Sequence, residues 1–256
     1  MLSPFEVYIA LVKGYCVILI LILPRAFATG GYATTAMLMT ASGVVSTVCA
    51  HLLVKSGLKA RIHSYSELTG QALGPKMKLI IDICISMAQY SFTVSHIAFI
   101  IKSLRTTVNV QMGIETNIWP YFFFSIIVLT LIAWVEDIKK FSATFLIGNL
   151  LIFGTVTTVS VYCFWLLNEQ DGPGPDIVPY NPMGFWATVG FAIYSYEGIG
   201  IVMPVLAKAR EPEEFNKSLV AAIVTLCALY VFFGELTSLT YGSNLTEPFI
   251  TEMLPP

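Results

Sequence analysis

The sequence predicts an all-α, polytopic membrane protein with seven spanning helices, and three observations lead to this fold class. Hydrophobic residues make up 56% of the 256 positions and charged residues only 12%, about half the charged share of a soluble domain. The apolar residues form runs of about twenty, the length at which a helix crosses roughly 30 Å of hydrocarbon. The runs do not alternate apolar and polar residues, as strands of a membrane barrel would. Because backbone groups in lipid must be satisfied within their own segment, each run is expected to be a helix.

The predicted spans follow one another along the whole chain and are expected to form a single transmembrane domain over residues 1–256. The first run is too long for the core of a signal peptide and has no convincing cleavage site, so it is interpreted as a retained span. The seven spans cover residues 5–27, 32–54, 79–104, 118–135, 141–166, 183–207 and 219–241.

The distribution of lysine and arginine predicts the orientation. If the N-terminus is cytosolic, the cytosolic connections carry ten basic residues and the opposite side carries only Lys102 and Arg105. Cytosolic loops of membrane proteins are enriched in basic residues, so this bias places the N-terminus in the cytosol. The ten are Lys55, Lys59, Arg61, Lys76, Lys78, Lys139, Lys140, Lys208, Arg210 and Lys217.

Composition and motifs also exclude several function classes. The net charge of −2 and the lack of a basic patch argue against a nucleic-acid partner. The five cysteines lie inside apolar runs without a CxxC pair or a Cys/His cluster, so neither a metal site nor a disulfide framework is indicated. No nucleophile–base pair or phosphate loop is present. We therefore expect no enzyme activity and no cofactor, with the lipid bilayer as the surrounding partner.

A polar, glycine-containing stretch interrupts predicted span six. Gly198 and Gly200 weaken a helix, and Pro204 removes the hydrogen bond to the carbonyl at position 200. Broken backbone at membrane depth is tolerated where it is covered by protein or lines a cavity, and an intramembrane carboxylate is a functional candidate by default. The alternative is a glycine packing face on which the carboxylate bonds to a neighbouring helix. The residues are Ser195, Tyr196, Glu197, Gly198, Gly200 and Pro204.

Two further positions are candidates for a role. Glu235, in span seven, is either a second proton-carrying carboxylate or a solvated residue near the outer interface. Asn244 begins an Asn-Leu-Thr sequon and is expected on the lumenal or extracellular side, where it can carry glycan. Asn216 begins an Asn-Lys-Ser sequon and is expected to be cytosolic and bare.

Three segments together resemble the amino acid/auxin permease family. They are Leu-Pro-Arg-Ala-Phe at 23–27 with the glycine pair at 30–31, Ser-Tyr-Ser-Glu-Leu-Thr-Gly at 64–70, and Tyr-Ser-Tyr-Glu-Gly-Ile-Gly-Ile-Val-Met-Pro at 194–204. The third segment is the most specific and is most similar to proton-coupled and vacuolar amino acid transporters. The resemblance implies a LeuT-like fold of two inverted repeats, with about eleven helices in all. Residues 5–166 would then be the first five-helix repeat, and residues 183–241 the first two helices of the second.

The resemblance also implies a function and a site. It implies transport of small neutral amino acids together with protons, across a vacuolar, lysosomal or plasma membrane, with Glu197 and Glu235 as proton-coupling candidates. The substrate would bind between the unwound middles of helices one and six. The implied binding residues are Cys16, Val17, Ile18 and Leu19 in helix one, and Ser195, Tyr196, Gly198 and Gly200 in helix six.

The chain departs from the family pattern in two ways. Val17 and Leu19 stand where the family has a Gly-x-Gly pair, and their side chains are expected to narrow the site and hide backbone N–H groups. The chain also supplies seven spans rather than about eleven. A transport-inactive amino acid sensor, a fragment, a truncated gene model and a degenerate, non-functional paralogue therefore stay open as alternatives. A seven-helix receptor would put the N-terminus outside, which the basic residues oppose.

Overall fold

The computed structural model describes residues 1–16, 19–134, 142–246 and 249–253. Within these ranges the regular structure is helical, apart from one isolated bridge between Leu2 and Ala209. The predicted all-α fold class is therefore confirmed. The α-helices are α1 (Pro4–Tyr15), α2 (Leu19–Gly30), α3 (Tyr32–Ala60), α4 (Tyr65–Leu73), α5 (Pro75–Met112), α6 (Trp119–Ala133), α7 (Ser142–Glu169), α8 (Phe185–Ser195), α9 (Ile199–Leu206) and α10 (Phe215–Tyr241).

Six of the seven predicted spans are confirmed as helices, or pairs of helices, long enough to cross a membrane, and the fourth coincides with a shorter apolar helix. Within the described part of the chain, five helical segments are long and apolar enough to cross a membrane, and the bent pair α1 and α2 makes a sixth. The axes of α1 and α2 are inclined by 52°. The segment for span four, α6, has 15 residues, fewer than the roughly 20 that a full crossing needs.

Local sequence signals explain where several helices begin and end. Ser3 and Glu6 form a reciprocal capping box at the start of α1, where Pro4 occupies the first helical position. Gly31 has a φ of 88°, a conformation that favours glycine, and it turns the chain from α2 into α3. The α5 helix ends at Gly113, which adopts the left-handed conformation at φ 64°.

The chain divides into two compact units, Met1–Leu68 with Ala143–Pro255, and Thr69–Ser142. In the first unit α10 is the central helix and packs against α1, α2 and α3. Its inward face is fully or almost fully buried at Leu219, Ile223, Leu226, Tyr230 and Phe233. In the second unit α5 packs against α6, and Arg105 donates to the carbonyl of Thr116 (2.8 Å) in the connection between them.

Two extended segments of the first unit tie helix ends together. The first is the connection before α8, which forms backbone hydrogen bonds to α2, α3 and α10. For example, the Asn181 N–H donates to the Gly30 carbonyl (3.1 Å), and the Gly174 N–H donates to the Leu239 carbonyl (2.8 Å). At the start of the chain, Leu2 accepts from Arg210 N–H (2.8 Å). Leu2 also donates to the carbonyl of Lys208 (2.7 Å), so the start of the chain is bound to the segment after α9.

Candidate functional site

Predicted span one is interrupted between α1 and α2. The α1 helix ends at Tyr15, and the N–H of the next residue, Cys16, donates to the Val12 carbonyl (2.7 Å). The α2 helix begins at Leu19. The carbonyl of Tyr15 accepts a hydrogen bond from the hydroxyl of Tyr230 on α10 (3.0 Å). A side chain of predicted span seven therefore satisfies a backbone carbonyl that has no partner within α1.

Predicted span six is interrupted between α8 and α9. The Ser195 hydroxyl donates to the Phe191 carbonyl (2.8 Å) within the last turn of α8. Tyr196 and Glu197 continue only with tighter bonds to residues three positions earlier. Gly198 precedes the first residue of α9. The interruption therefore covers 196–198, so the Gly200 backbone lies within the first turn of α9, and Pro204 lies inside α9.

The two interruptions contact each other directly. A Cβ added to Gly198 would lie 2.5–2.6 Å from three ring carbons of Tyr15. One turn away, a Cβ added to Gly14 would overlap the side chain of Ile201. Glycine at 198, where the neighbour is a rigid aromatic ring, is therefore what allows the end of α1 and the start of α9 to approach this closely, whereas at Gly14 the neighbour is the flexible end of Ile201.

Aromatic rings fill the space around this contact. The ring of Tyr196 packs edge-on against the ring of Tyr230, with centroids 5.8 Å apart and an interplanar angle of 62°. On its other side a Cβ added to Gly43 of α3 would lie 3.1 Å from the Tyr196 ring. The Ser46 hydroxyl, also on α3, donates to the Tyr196 carbonyl (3.3 Å). Four spans thus meet at the interruptions.

Two hydroxyl groups at this centre are buried without a hydrogen-bond partner in the described part of the chain. They belong to Tyr15 and Tyr196, and each residue is only 4% exposed. The Ser46 hydroxyl lies near that of Tyr15 and the Cys227 thiol near that of Tyr196, but neither pair has the geometry of a hydrogen bond. A buried polar group without a partner is costly. Both hydroxyls are therefore available to bond a polar ligand.

The chain matches the family model described as "Transmembrane amino acid transporter protein" over residues 2–256. The chain belongs to this family. The resemblance predicted from the sequence motifs is thereby confirmed, and with it the polytopic transporter class of the all-α fold.

Individual relatives are similar over most of the chain. Vacuolar amino acid transporter 3 of Schizosaccharomyces pombe is 27% identical over 95% of this chain, and Vacuolar amino acid transporter 3 of Saccharomyces cerevisiae is 24% identical over 95%. Amino acid transporter AVT3C of Arabidopsis thaliana is 23% identical over 88%. The matched regions are 37%, 36% and 56% of these relatives' lengths, so the chain spans about a third to a little over half of them. No solved structure gives a significant match. These relatives are named as transporters and not as enzymes, in agreement with the prediction that the chain is not an enzyme.

Most of the sequence-predicted residues of this family member lie at the interrupted helices. Cys16, Leu19, Ser195, Tyr196 and Gly198 are buried at the ends of the interrupted helices, while Glu197 and Gly200 beside them are partly buried. Val17 and Ile18 lie outside the described residues. Glu235 is partly buried on α10, five residues beyond Tyr230 and on a different face of that helix. Asn244 is exposed in a short 3-10 helix after α10.

Sequence reasoning missed Tyr15, Tyr230 and Gly43 as parts of this site. Tyr15 directly precedes the predicted binding stretch 16–19, so its position beside the interruption could have been predicted from its place in the sequence. Tyr230 and Gly43 belong to ordinary apolar stretches of α10 and α3. Only the packing of those helices against the interruptions brings the two residues into the site.

Proposed function

We propose that the protein carries small neutral amino acids across a membrane by secondary active transport coupled to protons. The observation that carries this proposal is the contact between the two interrupted spans, at which two buried hydroxyls have no hydrogen-bond partner among the described residues. Interrupted helices are used by transporters to hold the charged ends of a substrate near the middle of the bilayer. The names of the relatives, which are vacuolar amino acid transporters in the yeasts, support the same substrate class.

The helix ends supply complementary charges for an amino acid. The partial positive charge at the start of a helix favours a carboxylate, and the partial negative charge at its end favours an ammonium group, so the starts of α2 and α9 and the ends of α1 and α8 are complementary to the two charges of an amino acid. We assign substrate binding to the eight residues that the family resemblance implies and add Tyr15, whose hydroxyl has no partner among the described residues. The rings of Tyr15 and Tyr196 leave little space, which favours a small side chain on the substrate. The eight residues are Cys16, Val17, Ile18, Leu19, Ser195, Tyr196, Gly198 and Gly200.

The placement of the interruptions supports the proposed repeat organisation. The first span of the predicted repeat 5–166 and the first span of the segment 183–241 are the two that are interrupted. Inverted-repeat transporters place discontinuous helices at corresponding positions of their two halves. We therefore retain residues 5–166 as a five-helix repeat and 183–241 as the first two helices of a second.

Flux measurements test the proposed function. Vesicles carrying the protein are expected to take up labelled alanine or serine when a pH gradient is imposed, and to lose this uptake when a protonophore collapses the gradient. Tryptophan, which does not fit beside the two rings, is expected to be taken up at least about tenfold more slowly. Binding of alanine without flux would instead support the second candidate, a transport-inactive sensor, which Val17 and Leu19 in place of the glycine pair favour.

We propose a cytosolic N-terminus and a vacuolar or lysosomal membrane, with the plasma membrane as the alternative. The basic residues of the connections support the orientation, and the names of the yeast relatives support a vacuole. Asn216 and Asn244 provide a test because they lie at opposite ends of α10. Expressed in a eukaryotic cell, the protein is expected to carry any N-glycan at Asn244, so that Asn244→Gln removes the glycosidase-sensitive mass. Mass lost instead in Asn216→Gln would reverse the topology.

A further inference from the structure

Tyr230 contacts both interrupted spans although it belongs to neither. It lies within α10 and is 0% exposed. Its hydroxyl donates to the Tyr15 carbonyl at the end of α1 (3.0 Å). Its ring packs edge-on against Tyr196, which directly follows α8.

The hydroxyl contact has a specific physical consequence for α1. The last carbonyls of a helix have no partner within the helix, and water is scarce in the interior of a membrane protein. The Tyr230 hydroxyl supplies the missing donor, so it fixes where α1 ends and where the ring of Tyr15 lies against Gly198. Without this bond, the end of α1 would have to find another donor or shift towards water.

The ring contact has a similar consequence for span six. Tyr196 is enclosed by the ring of Tyr230 on one side and by Gly43 on another. Edge-to-face pairs of aromatic rings favour a defined mutual orientation. A displacement of α10 at Tyr230 would therefore move both the carbonyl bond of Tyr15 and the ring of Tyr196.

We propose that Tyr230 is a positioning residue that couples the two interruptions, so that they open and close together around the substrate. This proposal depends on the proposed transport function only where transport is the quantity measured. Tyr230 itself acts through Tyr15 and Tyr196.

The chain contains a matched control for the hydroxyl of Tyr230. The hydroxyl of Tyr8 on α1 donates to the Thr225 hydroxyl on α10 (3.2 Å), so it also bonds α1 to α10. Tyr8 lies about two turns before the end of α1. Tyr8→Phe and Tyr230→Phe each remove one hydroxyl bond between the same two helices, but only the second bond lies at an interruption.

Thiol labelling tests the coupling without reference to transport. The thiol of Cys16 lies beside the Tyr230 hydroxyl, so the reporter is placed on the other interrupted span. Ser195, in the last turn of α8, is 2% exposed, and Ser195→Cys in a variant whose five native cysteines are replaced by alanine puts the thiol there. In that background Tyr230→Phe is expected to raise the labelling rate of the introduced thiol by a membrane-permeant maleimide about fivefold, the factor for one lost hydrogen bond. Tyr8→Phe is expected to leave the rate unchanged. Equal rates in the two variants, at equal melting temperatures, would overturn the proposal.

Transport kinetics provide the second readout. Tyr230→Phe is expected to raise the KM for alanine about fivefold and to leave the maximal rate nearly unchanged, because the substrate must then order the interruption itself. Tyr8→Phe is expected to change neither constant. If the parent protein shows no flux, the proposed function fails but the labelling experiment still decides the role of Tyr230. A lower maximal rate with unchanged KM would contradict a positioning role.

Discussion

Replacement of Gly198 by alanine is expected to reduce amino acid uptake by about tenfold to a hundredfold. The added Cβ would lie 2.5–2.6 Å from three ring carbons of Tyr15, closer than such atoms approach in proteins. The backbone at Gly198, with φ −140°, is one that alanine adopts, so the effect is steric. Forcing an extra methyl group into a packed site costs about 1–3 kcal/mol, which corresponds to this range of rates. The measurement is the initial rate of labelled alanine uptake at equal amounts of protein in the vesicles.

Gly190→Ala is the matched control for this prediction. Gly190 lies in α8, eight positions before Gly198, and a Cβ added there meets nothing within 4 Å. Its uptake is expected to equal that of the parent protein, and both variants are expected to reach the membrane. Comparable uptake by Gly198→Ala and Gly190→Ala would mean that the contact between the interruptions is not needed for transport.

The sequence was sufficient to predict the fold class and most of the helices. Length and hydropathy of an apolar run determine a membrane helix, because the bilayer thickness sets the length and lipid excludes unbonded backbone groups. The interruption in span six was predictable for the same local reason, since Gly198 follows a polar stretch that no apolar helix requires. Its extent was not: Gly200 and Pro204 are as permissive of a break as Gly198, yet both lie inside α9.

Span one shows why a motif alone did not determine the site. Val17 and Leu19 replace the family's glycine pair, and yet α1 ends at Tyr15 and α2 begins at Leu19. The hydroxyl of Tyr230, more than two hundred positions away in the chain, bonds to the carbonyl at which α1 ends. Such a bond depends on how α10 packs against α1. The pattern of apolar residues along a helix does not specify which faces of two helices meet.

We propose Glu197 as the proton-coupling group, because it combines the properties that such a group needs. It follows Tyr196 in the interruption of span six and is partly buried, so it lies beside the proposed substrate and within the span. A charged carboxylate at membrane depth is costly, which makes its protonation sensitive to the state of the site. Among the described residues no ion pair to Glu197 is formed. Uptake of a proton is therefore the direct way to neutralise this side chain while the span moves.

Replacement of Glu197 by glutamine is expected to abolish coupling to protons. Glutamine keeps the size and hydrogen-bonding groups of a protonated carboxyl but cannot release a proton. With one proton carried per substrate, each pH unit of gradient supplies about 1.4 kcal/mol, enough for about tenfold accumulation. The parent protein is expected to accumulate alanine up to this ratio in vesicles, whereas Glu197→Gln is expected to equilibrate it to a ratio of about one at every imposed gradient.

Two further variants make this result specific. Glu211→Gln changes an exposed carboxylate in the connection between α9 and α10, and its accumulation ratio is expected to follow the gradient as in the parent protein. Glu235→Gln tests the other candidate carboxylate. If Glu235→Gln lost the response to pH while Glu197→Gln retained it, the coupling group would lie on α10 rather than at the interruption of span six. Such a result would show that proton binding and the contact between the interrupted helices lie at different places in the protein.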